Sequence, residues 1–313
     1  MCPATSCWGE RALHTGVNLT LVQLVSSLEK MSNSIFCKDV PSEDLQKAYI
    51  ELLKKCLTMW LWEAADGAQI QPFGNDLKSR TKKLLRFFLR HETEKPLDPL
   101  TQRLEGRDWP RMAHTMIGLK RMDNLQFCVE DVLNNGVPGD LIETGVWRGG
   151  STIFMRGILR AYGVKDRRVW VADSFQGLPP PDAEKNPADR GSTHHKILEL
   201  IVSLDEVKAN FQRFDLLDDH VCFLAGWFKD TLPKAPIEKL AVARLDGDMY
   251  ESTMDALTSL YPKLSSGGYL IVDDYGSVPA CRQAVEDYRK ACGISESIKT
   301  IDSDGVFWQR RSV

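Results

Sequence analysis

The sequence predicts an α/β fold, a doubly wound and mostly parallel seven-stranded sheet with a helical N-terminal extension. Three observations predict it. Between residues 140 and 310, short apolar runs alternate with amphipathic stretches of helix length, the pattern of a parallel sheet covered on both faces. The last two apolar runs are joined by Asp302-Ser303-Asp304-Gly305, too short for a parallel crossover, so they must form an antiparallel hairpin at the end of the sheet. Several of the runs stop at glycine or aspartate, and the C-terminal ends of the strands are where such sheets bind ligands.

The elements follow in chain order. Residues 1–40 are read as an N-terminal extension, expected to be mobile, in which Val17 to Lys30 could form an amphipathic helix and Cys2 to His14 has no clear period. Residues 41–107 are read as a helical segment for subunit contacts and the substrate side. A helix is expected from Ser42, its cap, with Leu45, Ala48, Tyr49, Leu52, Leu53 and Cys56 on the buried face. Leu77 to Arg90 is basic and amphipathic, read as an exposed helix with Leu84, Leu85, Phe88 and Leu89 inward rather than as a membrane-contacting one. Pro96 and Pro99 break the pattern. Residues 108–313 form the sheet domain. Its first helix is placed at Lys120 to Asn134, stopped by Asn135-Gly136. Strands are placed at Asp140 to Glu143, Arg168 to Ala172, His220 to Leu224, Leu240 to Leu245, Tyr269 to Val272, Ile298 to Ile301 and Val306 to Arg310. The helices between them are placed near Ser151 to Tyr162, Asp205 to Phe214, Ser252 to Leu264 and Pro279 to Cys292.

Composition sets limits on the function. With 313 residues, 43% of them hydrophobic and 27% charged, and a net charge of −3, the chain falls in the soluble globular class, with nothing to favour nucleic acid or an anionic membrane as a partner. The eight cysteines form no C-x-x-C pair and read as reduced thiols of a cytoplasmic protein. No stretch approaches a membrane span, and the N-terminus lacks the pattern of a secretory signal.

Two strand ends carry the chemistry. Leu245-Asp246-Gly247-Asp248 and Val272-Asp273-Asp274 each follow a buried-type strand, so four carboxylates would crowd the ligand crevice and repel unless a cation sits among them. An all-oxygen donor set selects Mg²⁺, Ca²⁺ or Mn²⁺ over zinc. The same acids would also serve as helix caps. The first strand runs into Glu143-Thr144-Gly145-Val146-Trp147-Arg148-Gly149-Gly150-Ser151, a strand-to-helix turn where a ligand edge can approach the backbone. Its spacing departs from Gly-x-Gly-x-x-Gly, and the acid before the first glycine suits a positively charged methionine moiety better than a pyrophosphate. Asp173, closing the second strand ahead of Ser174, can accept from two ribose hydroxyls or cap a turn. Gly226-Trp227-Phe228 after the third strand could hold an adenine or fill core. Residues 179–203, with Pro180, Pro181, Pro187, Gly191, His194 and His195, are too long for a simple connector and read as a lid; either histidine is a solvated loop residue or an aid to proton transfer.

These motifs resemble a known family. The blocks Thr115-Met116-Ile117-Gly118-Leu119, Gly136 to Gly150, Ala172 to Pro179, Gly226 to Pro233, Leu245 to Thr253 and Val272 to Tyr275 are similar, in order, to the TylF-type macrocin O-methyltransferase family. The resemblance runs from about Asp108 to Arg310 and implies the Rossmann-like class I methyltransferase fold, dependence on S-adenosyl-L-methionine and Mg²⁺, and methylation of a sugar hydroxyl on a glycosylated natural product. It implies Asp246, Asp273 and Asp274 as metal ligands and Asp248 as general base. It also implies cofactor contacts from Thr115, Met116, Ile117, Glu143, Thr144, Gly145, Ser151, Asp173, Ser174, Gly226, Trp227, Phe228 and Asp246. A homo-oligomer, dimer or higher, is expected. The alternatives are a catechol-like phenolic acceptor and, from Gly145, Gly149 and Asp173 alone, a nicotinamide-dependent oxidoreductase.

Overall fold

The apolar runs between residues 140 and 310 pair into one sheet. The computed structural model describes residues 42–62 and 98–311. The chain divides into two compact units, Met1–Leu45 and Gln46–Val313, and of the first only residues 42–45 are described. The helices expected at Val17 to Lys30 and Leu77 to Arg90 lie outside the described residues.

The strands are β1 (Asp140–Thr144), β2 (Val169–Asp173), β3 (Val221–Ala225), β4 (Leu240–Leu245), β5 (Leu264–Val272), β6 (Lys299–Thr300) and β7 (Val306–Gln309). They hydrogen-bond in the order β3-β2-β1-β4-β5-β7-β6. The β1–β2, β1–β4, β2–β3 and β4–β5 pairs are parallel, while β7 runs antiparallel to both β5 and β6. The order reverses beside β1, so a crevice opens at the C-terminal ends of β1 and β4.

Around the sheet stand α1 (Ser42–Leu57), α2 (Pro99–Leu104), α3 (Leu119–Asn134), α4 (Gly150–Ala161), α5 (Leu204–Arg213), α6 (Phe228–Thr231), α7 (Tyr250–Leu260) and α8 (Pro279–Ala291). Central strands β1 and β4 are buried almost throughout because helices cover both faces. On one face Met122, Leu125 and Val129 of α3 join Phe154 and Ile158 of α4 over Leu141 and Val242. On the other, Leu257 and Leu260 of α7 and Val285 of α8 pack with Ala243, Leu270 and Trp308.

Two expectations are corrected. Helix α1 buries Ile50, Leu53, Lys54 and Leu57, whereas Leu45 and Leu52 remain 52% and 55% exposed among the described residues. Gly157 decides the rotation: a Cβ there would lie 2.2 Å from Leu53 Cδ2, so its absence lets Leu53 enter α4. Lys54 is carried inside with it and pairs with Glu51 and Asp123, each at 2.6 Å. Ser42 is the first helical residue. The second correction concerns residues 261–268, expected as helix and connector. Helix α7 gives way to a 3₁₀ turn, Tyr261–Lys263, and β5 starts at Leu264, with an irregularity where Leu240 pairs Leu264 and Val242 pairs Tyr269. Pro262 removes a helical donor, and Gly267, at φ +82°, accommodates the bulge.

Candidate active site

At the strand ends lies a cleft of about 1150 Å³. Gly145 closes β1 at φ +83°, and a Cβ there would lie 1.7 Å from the carbonyl oxygen of Asp246, so only glycine lets the β1 and β4 ends lie side by side. The amide of Asp246 donates to the carbonyl of Thr144 at 2.9 Å. Gly149, at φ +85°, turns the chain into α4. The Gly150 amide donates to the His114 carbonyl at 2.9 Å, which seats Thr115, Met116 and Ile117 at the cleft.

Every cofactor- or metal-directed residue singled out from the sequence lines this cleft except Thr144 and Gly226. The Thr144 side chain is fully buried beneath the floor, and Gly226, at φ +140°, shapes the turn after β3 while its amide donates to the Asp173 carbonyl at 2.9 Å. Asp173 has a double use. Its Oδ2 accepts from the Val146 amide at 2.8 Å and its Oδ1 from the Phe175 amide at 2.7 Å, and its carboxylate lines the cleft. Burial pushes its pKa up, against hydrogen bonds from the Phe175, Val146 and Trp147 amides and from Ser174.

The acids at the ends of β4 and β5 do converge. Asp246, Asp273 and Asp274 each offer a carboxylate oxygen within 4.8 Å of the others. Asp248, in the left-handed region at φ +57°, turns back so that its amide donates to Asp274 Oδ2 at 3.1 Å. Burial, followed by the charge of Asp273, raises the pKa of Asp246 to about 6, while burial and the charges of Asp246 and Asp273 raise Asp248 to about 7. Burial and the neighbouring carboxylates push Asp274 up as well.

Two arginines that the sequence reading passed over partly balance this charge. Arg244, 1% exposed in the middle of the sheet, donates to Glu143, to Asp246 Oδ2 at 2.9 Å and to Asp273. Arg121 of α3 bonds the other Asp273 oxygen, pairs with Asp302 Oδ2 at 3.0 Å and donates to the Glu105 carbonyl at 2.9 Å. Glu143 has its Oε2 buried and without a partner in hydrogen-bond geometry, and burial lifts its pKa to about 8 against the pull of Arg244 and of the nearby Ser151 hydroxyl.

The donor sets of these residues can be matched to the two groups expected from the motif resemblance. A buried carboxylate oxygen with no partner at a strand-to-helix turn is a receptor for an ammonium group. Three carboxylates with lone pairs to spare, and no cysteine or histidine among them, suit a hard divalent cation.

Residues 179–203 contain three short 3₁₀ turns, Pro187–Asp189, His194–Lys196 and Leu198–Leu200, and form one wall of the cleft, with His194 and Leu200 of the second and third turns in its lining. Trp147 Nε1 donates to the Glu199 carbonyl at 2.8 Å, tying this wall to the β1 loop. His194 faces the cleft with Nδ1 3.0 Å from Ser192 Oγ, and burial lowers its pKa; His195 is not part of the lining.

The family model of macrocin O-methyltransferase (TylF) matches residues 46–310. The chain is 54% identical over 269 residues, 86% of its length and 94% of the relative's, to 8-demethyl-8-(2,3-dimethoxy-alpha-L-rhamnosyl)-tetracenomycin-C 4'-O-methyltransferase of Streptomyces olivaceus. It is 57% identical over 211 residues, 66% of this chain and 83% of the relative, to mycinamicin III 3''-O-methyltransferase of Micromonospora griseorubida. Among solved structures, the O-methyltransferase NovP superposes with a TM-score of 0.73 at 51% identity, covering 85% of this chain and 100% of that one.

Proposed function

Since the chain belongs to the macrocin O-methyltransferase (TylF) family, we propose that it transfers the methyl group of S-adenosyl-L-methionine to a sugar hydroxyl of a glycosylated natural product, with Mg²⁺ at Asp246, Asp273 and Asp274. The observation that carries the reading is the meeting, in one cleft, of those three carboxylates, of Asp248 and of the unpartnered Glu143 oxygen. That relatives at 54% and 57% identity are named for methylating glycosides supports a sugar as the acceptor.

Each residue has a part in this reading. Glu143 Oε2 takes the ammonium of the methionine moiety. Asp173, fixed at the cleft by backbone amides, accepts from the ribose hydroxyls. Trp227 and Phe228, which line the cleft, hold the adenine. A magnesium-class ion, when bound, supplies Lewis-acid stabilisation of negative charge on a sugar oxygen. Asp248 takes the hydroxyl proton as the methyl group is attacked in line, and a carboxylate whose pKa lies near 7 is matched to that task at neutral pH. Residues 179–203 wall off the cleft, which holds donor and acceptor in one complex and keeps water from the sulfonium. Residues 41–107 are proposed to build the subunit interface and the acceptor side, and light scattering of the intact chain measures the oligomer.

The test has two arms. Calorimetry is expected to show binding of S-adenosylhomocysteine and none of NAD. Mass spectrometry of a panel of deoxysugar glycosides, with catechols included, is expected to show one methyl added to a glycoside, and EDTA is expected to abolish it. Transfer that survives EDTA removes the metal from the reading, and transfer to catechols alone removes the sugar.

A further inference from the structure

The helix that follows Asp248 has no cap of its own. Helix α7 starts at Tyr250 behind Met249, a residue with no oxygen to offer, and no local side chain caps it. Its first amides are satisfied from far along the chain. Asp189 Oδ1 accepts from the Tyr250 amide at 2.7 Å and Oδ2 from the Glu251 amide at 3.1 Å. Asp189 is 1% exposed and closes the Pro187–Asp189 turn, inside the segment that walls the cleft. Beside it, Lys185 of the same segment pairs with Glu251 at 2.8 Å.

The placement matters because of what lies between. The loop from Asp246 to Met249 is held at one end by the sheet, through the Asp246 amide on Thr144 and the Asp248 amide on Asp274. At the other end it runs into the first turn of α7 behind Met249, whose side chain is buried. Asp248 also sits in the left-handed region, a conformation that costs energy for any residue but glycine and persists only where its surroundings enforce it. A serine or aspartate at position 249 would cap the helix locally. Here the cap belongs instead to the wall past which an acceptor must enter.

We infer that Asp189 is a positioning residue, coupling the 179–203 wall to the Asp248 loop so that covering the cleft and fixing the base are one event. When the wall lifts, the Tyr250 and Glu251 amides lose both acceptors, and the loop loses its polar anchor on the helix side while Met249 stays buried. The inference rests on the reading of Asp248 as the base, but the mechanical coupling can be measured apart from it.

The experiment is hydrogen exchange on the full chain with S-adenosylhomocysteine bound, for the wild type, Asp189→Asn and Lys185→Met. Asparagine keeps the size of the side chain but replaces one of the two acceptor oxygens with an NH2 group, which faces a backbone N–H and cannot accept from it. In Asp189→Asn, peptides spanning 179–203 and 246–254 are expected to exchange faster together, by at least ~10-fold, with β4 unchanged. Lys185→Met removes an exposed pair between the same two elements and is expected to leave the 246–254 peptide alone. In steady state with a rhamnoside acceptor, Asp189→Asn is expected to lower kcat at least ~10-fold while KM moves less than ~3-fold. Faster exchange confined to 179–203, or a raised KM with kcat intact, would overturn the inference, because Asp189 would then only hold the wall.

If Asp189→Asn does not fold, the wild type still decides. The Tyr250 and Glu251 amides must open with the same free energy as residues 187–192, and protection of those two amides more than ~10-fold above the wall defeats the coupling. If the wild type methylates no acceptor, the functional reading fails while the exchange result stands.

Discussion

Arg244 and Asp246 are joined at 2.9 Å, and the guanidinium that makes this bond lies within β4 and also holds Glu143 and Asp273. One buried cation therefore connects the acid proposed for the methionine end of the cofactor with two of the three acids proposed for the metal.

Removing that cation leaves several buried carboxylates uncompensated. Arg244→Met keeps an unbranched apolar stem in place of the arginine's but removes the guanidinium, and is expected to cost about 3–5 kcal/mol, the usual cost of breaking a buried ion pair from one side. Urea unfolding measures it. Arg244→Lys restores charge but cannot reach three acids at once, so recovery is expected to be partial. Stability equal to the wild type in Arg244→Met would show that the carboxylates are protonated at neutral pH.

Gly145→Ala tests the close approach of β1 to β4. The substitution places a methyl group 1.7 Å from the Asp246 carbonyl oxygen and forces alanine to φ +83°. The left-handed conformation alone costs about 1–2 kcal/mol, and the backbone clash adds to it. Thermal melting is expected to fall, and calorimetry is expected to show S-adenosylhomocysteine binding lost even at temperatures where the variant stays folded.

Much of this arrangement can be read from the chain. Strand β4 has the bounds its apolar run predicts, Leu240 to Leu245, and the short 302–305 turn leaves β7 no choice but to run antiparallel. Asp246, Asp273 and Asp274 are legible because each interrupts an apolar run at the point where a parallel strand must end. Arg244 is hidden inside such a run, Leu-Ala-Val-Ala-Arg-Leu, where alternation is absent and no period marks its direction. The signal that could have found it is the charge itself, since a central strand tolerates an arginine only beside buried acids. Asp189 offers no comparable signal. Among prolines, aspartates and histidines it reads as a solvated loop residue, and its partners lie 61 and 62 positions away. The rotation of α1 is likewise a tertiary matter, settled by the space that Gly157 leaves for Leu53.

His114 gives the protein an acid-sensitive joint. Its ring packs edge-on against Phe214 at 5.1 Å with Nδ1 buried and unpartnered, and burial, aided by Arg213 and Arg148, lowers its pKa to about 4. The unfolded chain takes up this proton near pH 6.5 and the folded chain only near 4, so the stability the neutral ring contributes is lost as pH falls through that window. His114→Gln is expected to flatten the decline of Tm between pH 6.5 and 4. An unchanged acid limb in the variant would place the sensitivity elsewhere.

Asp248 is expected to show the opposite pH dependence, because its environment opposes its charge. Its folded pKa of about 7 lies above the usual carboxylate range, chiefly through burial and then through Asp246 and Asp273. From about pH 4 upward the unfolded chain has released this proton while the folded chain retains it, so stability declines toward pH 7 and the penalty is constant beyond. Asp248→Asn keeps the shape and the amide bond to Asp274 Oδ2 but carries no charge. In EDTA, its Tm is expected to exceed that of the wild type at pH 8 by at least about 2–4 °C, the shift that 1 kcal/mol produces in a chain of this size. The gap is expected to close as the pH is lowered through 7 toward 4. Methyl transfer is expected to be lost in the same variant, with S-adenosylhomocysteine binding retained. A variant that is both more stable and inactive would identify the buried charge as a cost kept for proton removal, whereas a Tm equal to the wild type at pH 8 would mean the Asp248 carboxylate is well solvated and its pKa ordinary.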